Sequence, residues 1–173
     1  MLQGAEGGAN MPQSQVNQAI SLTNESGRLA DLGRREEALA AIEQATGIYR
    51  QLAETSPDTF QSHFAASLNN QSRRLADLGR REEALAVIEQ ATGIYRQLAE
   101  TSPDKFVPSF AASLDNLADT LSSLNRDAEA SAIREEADAA RSGAIHTGEE
   151  PVRRRTARWP LQVFGRRSPS GLT

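Results

Sequence analysis

The sequence predicts an all-α protein, a short solenoid of three antiparallel helix pairs. Three observations lead there. Arg28–Phe60 and Arg74–Phe106 align without a gap, and only Ala41/Val87 and Thr59/Lys105 differ among the 33 positions. A weaker third copy follows at the same offset of 46 residues. Apolar content is 38% and aromatic content only 5%, which suits closely approaching aliphatic helices better than a β-sandwich or barrel. A unit this short cannot bury its own apolar face, so neighbouring copies must stack to make a core.

The expected repeats span about 15–56, 57–102 and 103–142, between a segment 1–14 and a tail 143–173. The start is glycine-rich and is expected to be disordered. The first helix A is placed at about Gln15–Leu32. In the second copy, helix A is placed at about Ser62–Leu78. Phe64, Leu68, Ser72, Leu75 and Leu78 are spaced there as one helical face. Gly79 follows as a left-handed cap. Helix B is placed at about Arg81–Glu100, where Ala84, Ile88, Ala91, Tyr95 and Leu98 form a single stripe. Glu82 and Glu83 suit its first turn, where the helix dipole favours acids.

Ser102-Pro103-Asp104 reads either as a turn or as a serine cap followed by proline at the first helical position. Pro108 marks where the third helix A can begin. That copy keeps Leu114, Leu117, Ala118, Leu121, Leu124, Ala130, Ile133 and Ala137. Arg134 and Arg141 replace Ile42/Ile88 and Tyr49/Tyr95, as a terminal helix with a polar outer face would. Decay or truncation of the copy accounts for them equally. Gly47 and Gly93 interrupt helix B at about 1 kcal/mol each relative to alanine. Close packing by a neighbour or a flaw copied with the repeat would explain them.

Composition narrows function. There are no cysteines, so disulfides and thiolate metal sites are excluded and a reducing compartment is permitted. No stretch reaches the length of a membrane span, and Met1–Asn10 lacks the features of a signal peptide, so a cytoplasmic location is expected. His63 and His146 have no partner at metal or triad spacing, and no phosphate-binding glycine loop occurs. His63 aligns with Asn17 and Ser109 and reads as a surface residue. The pairs Glu36-Glu37 and Glu82-Glu83 read as first-turn charges rather than catalytic carboxylates. No enzyme activity, cofactor or small-molecule substrate is expected.

The pattern resembles a tetratricopeptide repeat across roughly residues 16–142. The residues that carry the resemblance are Ser26, Ser72 and Ala118 within helix A, then Gly33 and Gly79 at the turn. In helix B they are Ala38, Ala84 and Ala130, followed by Ala45, Ala91 and Ala137. Leu22, Leu68 and Leu114 also fall in register, as do Leu29, Leu75 and Leu121. The unit here is longer than the family's usual length of about 34 residues, as in its kinesin-light-chain-like branch and in bacterial arrays. Asn125 stands at the third glycine position and tolerates a left-handed cap.

The resemblance implies a right-handed superhelix whose concave groove, lined by helix A, binds a peptide or protein segment. The groove positions hold Thr23, Asn24 and Gly27, then Asn69, Asn70 and Arg73, then Asp115, Asn116 and Asp119. Asn24, Asn70 and Asn116 form a ladder of amides, each with donors and an acceptor for an extended peptide backbone. It resembles the ladder of the kinesin-light-chain-like branch. Bonding within the solenoid would also employ asparagines. Arg73 favours an acidic side chain nearby, and Asp115 and Asp119 a basic one further along. The lysine and arginine clamp of the co-chaperone type is missing, with Ile20, Ala112 and Asn116 at its positions. The alternative function is self-association, by stacking of repeats or exchange of helices between near-identical copies.

Residues 1–142 carry 13 basic and 21 acidic side chains, a balance of −8, whereas residues 143–173 carry six arginines and two glutamates, a balance of +4. The tail is expected to be disordered. Its arginines surround Trp159, Leu161, Val163 and Phe164. Weak nucleic-acid or membrane contact, docking on the acidic body, and no specific role all fit that composition.

Overall fold

A computed structural model describes residues 10–143 as six helices. These are α1 (Asn10–Asp31), α2 (Arg35–Thr55), α3 (Pro57–Asp77), α4 (Arg81–Thr101), α5 (Pro103–Ser123) and α6 (Asp127–Arg141). Each packs against the next, and α3 also touches α5, so the odd helices line one side of a solenoid of three pairs. The expectations for residues 1–9 and for the basic tail from 144 onward lie outside the described residues.

The cores sit between successive helices. Ile42 and Ile88 are fully buried, as is Leu114, and Leu68 is nearly so. Ile42 shares its cluster with Leu39, Ala45, Leu75 and Ala84, so one face of α2 is closed by α3 and α4. Full burial of such a side chain stabilises by about 1.5–3 kcal/mol. Alanines make the close approach possible: Ala38, Ala45, Ala84, Ala91, Ala130 and Ala137 are all fully buried.

Helix A starts earlier than its pattern suggests. Helix α1 begins at Asn10, inside the segment expected to be disordered, and α3 begins at Pro57 rather than near Ser62. Pro57 and Pro103 occupy the first helical turn, where the missing N–H has no helical partner to lose. The preceding Ser56 and Ser102 make no side-chain cap bond, so proline alone marks these starts. Pro108 lies inside α5 rather than at its start. It is exposed, where water can replace the lost helical bond.

The A-to-B turns repeat in atomic detail. In the first, the amide of Gly33 donates to Ala30 at 2.9 Å and that of Arg34 to Leu29 at 2.9 Å. The second uses Gly79 and Arg80, and the third Asn125 and Arg126, in the same pattern. The paired bonds require a left-handed residue, met by Gly33 and Gly79 at φ 74° and Asn125 at φ 60°. After each turn an arginine pairs with a first-turn glutamate: Arg34 with Glu37, Arg80 with Glu83 and Arg126 with Glu129. These bonds hold the three carboxyls below the usual glutamate range. Burial pushes Glu89 the other way.

The outer faces of both end helices are polar. Gln18 of α1 stands where α3 and α5 place Phe64 and Phe110, and Ser14, Gln18, Ser21 and Glu25 are exposed. Leu32 is the apolar exception, 70% exposed where its counterpart Leu78 is half-buried against the cluster around Ile42. On α6, Arg134 and Arg141 turn back onto Asp119 and Asp115 of α5. Helix α6 buries only Ala130, Ala137 and Ala140.

A β-carbon placed on Gly47 or Gly93 would meet nothing within 4 Å, so close packing does not explain these glycines. The third copy carries Ala139 at the same register. Gly47→Ala and Gly93→Ala should each stabilise the fold by about 1 kcal/mol, whereas Gly79→Ala should destabilise it by about 1–2 kcal/mol. Denaturant unfolding checks both directions.

The lowered glutamate pKa values also fix a pH dependence. The stability they contribute is present above the ordinary glutamate pKa and is lost as pH falls through the depressed values. Melting scans from neutral to acid pH should show this loss, reduced in the Glu37→Gln/Glu83→Gln/Glu129→Gln variant. Glu89 has the opposite sign, so Glu89→Gln should raise the neutral-pH melting temperature.

Candidate functional site: the helix A groove

Packing decides which face of helix A is free. The small residues Ser26, Ser72 and Ala118 are buried against neighbouring helices. Asn24, Asn70 and Asn116 precede them by two positions, about 200° around the helix. The amides therefore lie on the opposite, open side. Asn24 is exposed, and Asn70 and Asn116 are half-buried. Among the described residues, none of the three side chains hydrogen-bonds within the chain. Asn116 uses only its backbone carbonyl, which accepts from Thr120 at 2.8 Å.

Asn24 and Asn70 face a common open cleft of about 140 Å³ between α1 and α3. Ile20, Thr23, Tyr49, His63, Ala66 and Ser67 complete its wall. Ile20 is 46% exposed, one of two large exposed hydrophobic side chains among the described residues. His63 is exposed, as its sequence alignment suggested, and stacks on Tyr49 with centroids 5.7 Å apart and an interplanar angle of 28°. Phe60 supports the imidazole from a second direction at 6.0 Å. Burial raises the Tyr49 phenol above its ordinary pKa, so the hydroxyl is neutral at physiological pH.

Other sequence candidates separate into different roles. The amide oxygen of Asn69 accepts from the Ser113 hydroxyl at 3.2 Å, and Ser113 is 2.8 Å from the Thr92 hydroxyl. Asn69 therefore ties α3 to α5 and, through Ser113, to α4. Thr23, its counterpart, donates back to the Ala19 carbonyl at 2.8 Å. Arg73 is exposed, one helical turn beyond Asn70. Among the described residues it has no ion-pair partner.

Asp115 and Asp119 are already paired within the chain. Arg141 bonds Asp115, and Arg134 reaches Asp119 at 3.1 Å and the Ser122 hydroxyl at 3.2 Å. Both carboxylates thus have an arginine partner within the chain. The signal was in the sequence: Arg134 and Arg141 replace apolar residues and share the end of the stack with two new acids. His63 reads as a surface residue in the sequence, and its meeting with Tyr49 at a cleft depends on the packing of α2 on α3.

A family model described as Tetratricopeptide repeat matches residues 64–104, from within α3 through α4 to the first turn of α5. The matched unit recurs before and after itself in both sequence and structure. The helical repeats are of the tetratricopeptide type. Tetratricopeptide repeats generally mediate protein–protein interaction. No curated protein gave a match. No described helix is long and apolar enough to cross a membrane, and no described group of histidine and acidic side chains could hold a metal ion.

Asn69 and its neighbour should separate cleanly. Asn69→Ala leaves a buried hydroxyl pair short of an acceptor and should cost about 1 kcal/mol of stability. Asn70→Ala should stay within about 0.5 kcal/mol of the unaltered chain. Equilibrium urea unfolding of the two variants checks the assignment.

Proposed function

We propose that this tetratricopeptide protein is a noncatalytic interaction scaffold, acting in the cytoplasm, that binds an extended segment of a partner protein along α1, α3 and α5. Asn24, Asn70 and Asn116 pair with the main chain of that segment. The observation that carries the reading is the amide ladder itself. Three asparagines share one register, lie on the open side of the helices and spend no side-chain bond on the fold. An amide that can donate and accept recognises backbone whatever the ligand's side chains. Arg73 adds a preference for an acidic side chain.

Self-association by stacking has less support. The exposed faces of α1 and α6 are mainly polar, and the arginines of α6 are tied to α5.

The test is capture from the host's lysate with the full chain and with the Asn24→Ala/Asn70→Ala/Asn116→Ala variant side by side. A partner held by the unaltered chain should bind the variant at least about tenfold more weakly, each lost bond being worth about 0.5–1.5 kcal/mol. The variant's melting temperature should be unchanged. Equal affinity for both chains would contradict the reading.

A further inference from the structure

Resting on that reading, we infer that the cleft between α1 and α3 selects its ligand by one leucine- or phenyl-sized side chain, with an acidic residue one or two positions away. Size, lining and charge carry this.

The cleft measures about 140 Å³. An enclosed cavity of about 150 Å³ holds a benzene molecule, so a single leucine or phenyl group is enough to fill this open cleft. Its wall offers Ile20, Ala66 and the ring of Tyr49 to that group. Ile20 is specific to the first repeat: the second and third carry Ala66 and Ala112 at its register. Asn24 and Asn70 stand on the two sides of the cleft, placed to hold the ligand backbone on either side of the buried group. Thr23, His63 and Ser67 complete the lining, so two neighbouring helices frame an open cleft with an apolar patch between two amides.

Charge then sets the flank. Among the groove positions of the three helices, Arg73 is the one cation, and it has no ion-pair partner among the described residues. It sits one turn from Asn70, about 5–6 Å along α3. A segment crossing from α1 to α5 passes Arg73 at that distance, within reach of a glutamate side chain one or two residues from the one held by Asn70. The acids of the third repeat do not offset Arg73, because Arg141 and Arg134 already neutralise Asp115 and Asp119.

The full chain, fluorescently labelled, is applied to an array of immobilised ten-residue Gly/Ser peptides. One central position is Ala, Leu, Phe or Trp, and one position within two residues on either side is Glu, Ser or Lys. Leu or Phe with Glu should give the strongest binding, about tenfold above Ala with Glu. Glu should exceed Lys by about fivefold. Arg73→Glu should reverse the charge preference, and Ile20→Ala should weaken the preference for Leu and Phe. Both residues are exposed, and circular dichroism of each variant confirms that it is folded. Binding that is lost in the triple asparagine variant but ignores the central residue and the charge would overturn this inference and leave the groove reading standing. Capture of no peptide at all would overturn both.

Discussion

The architecture depends on one constraint: the apolar face of each helix B must be closed by the next helix A. Ile42 is fully buried in a cluster with Leu75 and Ala84 of the following pair, and Ile88 in one with Leu117, Leu121 and Ala130. The same contact orients helix A. With Leu68 and Ser72 turned inward, the residue between them, Asn70, has one direction left. The pattern Leu22-Thr23-Asn24-Glu25-Ser26 and its two later copies repeat this geometry. Core packing thus creates the recognition surface without any contact dedicated to shaping it.

The ends of the stack show the same rule in reverse. A helix B with no helix A over it cannot present isoleucine and tyrosine to water at no cost. Here α6 carries Arg134 and Arg141 at those positions, and each finds a carboxylate on α5. Exposed pairs of this kind contribute about 0–1 kcal/mol, so their main effect is a polar surface rather than a strong clamp. Arg96 of α4 adds a bond to Glu136 at 2.6 Å and lies over the Phe110 ring. The third repeat is packed by Phe110, Leu114, Leu117 and Leu121 like the repeats before it, and it adds ion pairs on its outer side.

Much of this was legible in the sequence because near-identity removes ambiguity. A spacing that recurs with 31 of 33 residues unchanged marks the same helices twice. The left-handed caps at Gly33, Gly79 and Asn125 were readable from residue type and register, and so was the inward face of helix A. The early starts of α1 and α3 were not. Polar residues such as Gln13 and Gln61 carry no periodic signal, and a single residue, Ser56, separates α2 from the proline that opens α3. Neither the role of Asn69 nor the cleft was legible either. Asn69 differs from Asn70 only in which neighbour it faces. The cleft joins Ile20, Tyr49 and His63 from three helices. Such juxtapositions are set by interhelical geometry rather than by local pattern.

The most direct test of the groove is nuclear magnetic resonance of the ¹⁵N-labelled full chain, titrated with a captured partner segment. The side-chain amide signals are the reporters. Recognition through the helix A ladder predicts that the signals of Asn24, Asn70 and Asn116 move together on binding, while those of Gln44, Gln51, Gln90 and Gln97 on α2 and α4 stay in place. Movement of the helix B glutamines with a silent asparagine ladder would place the partner on the opposite face and contradict the account.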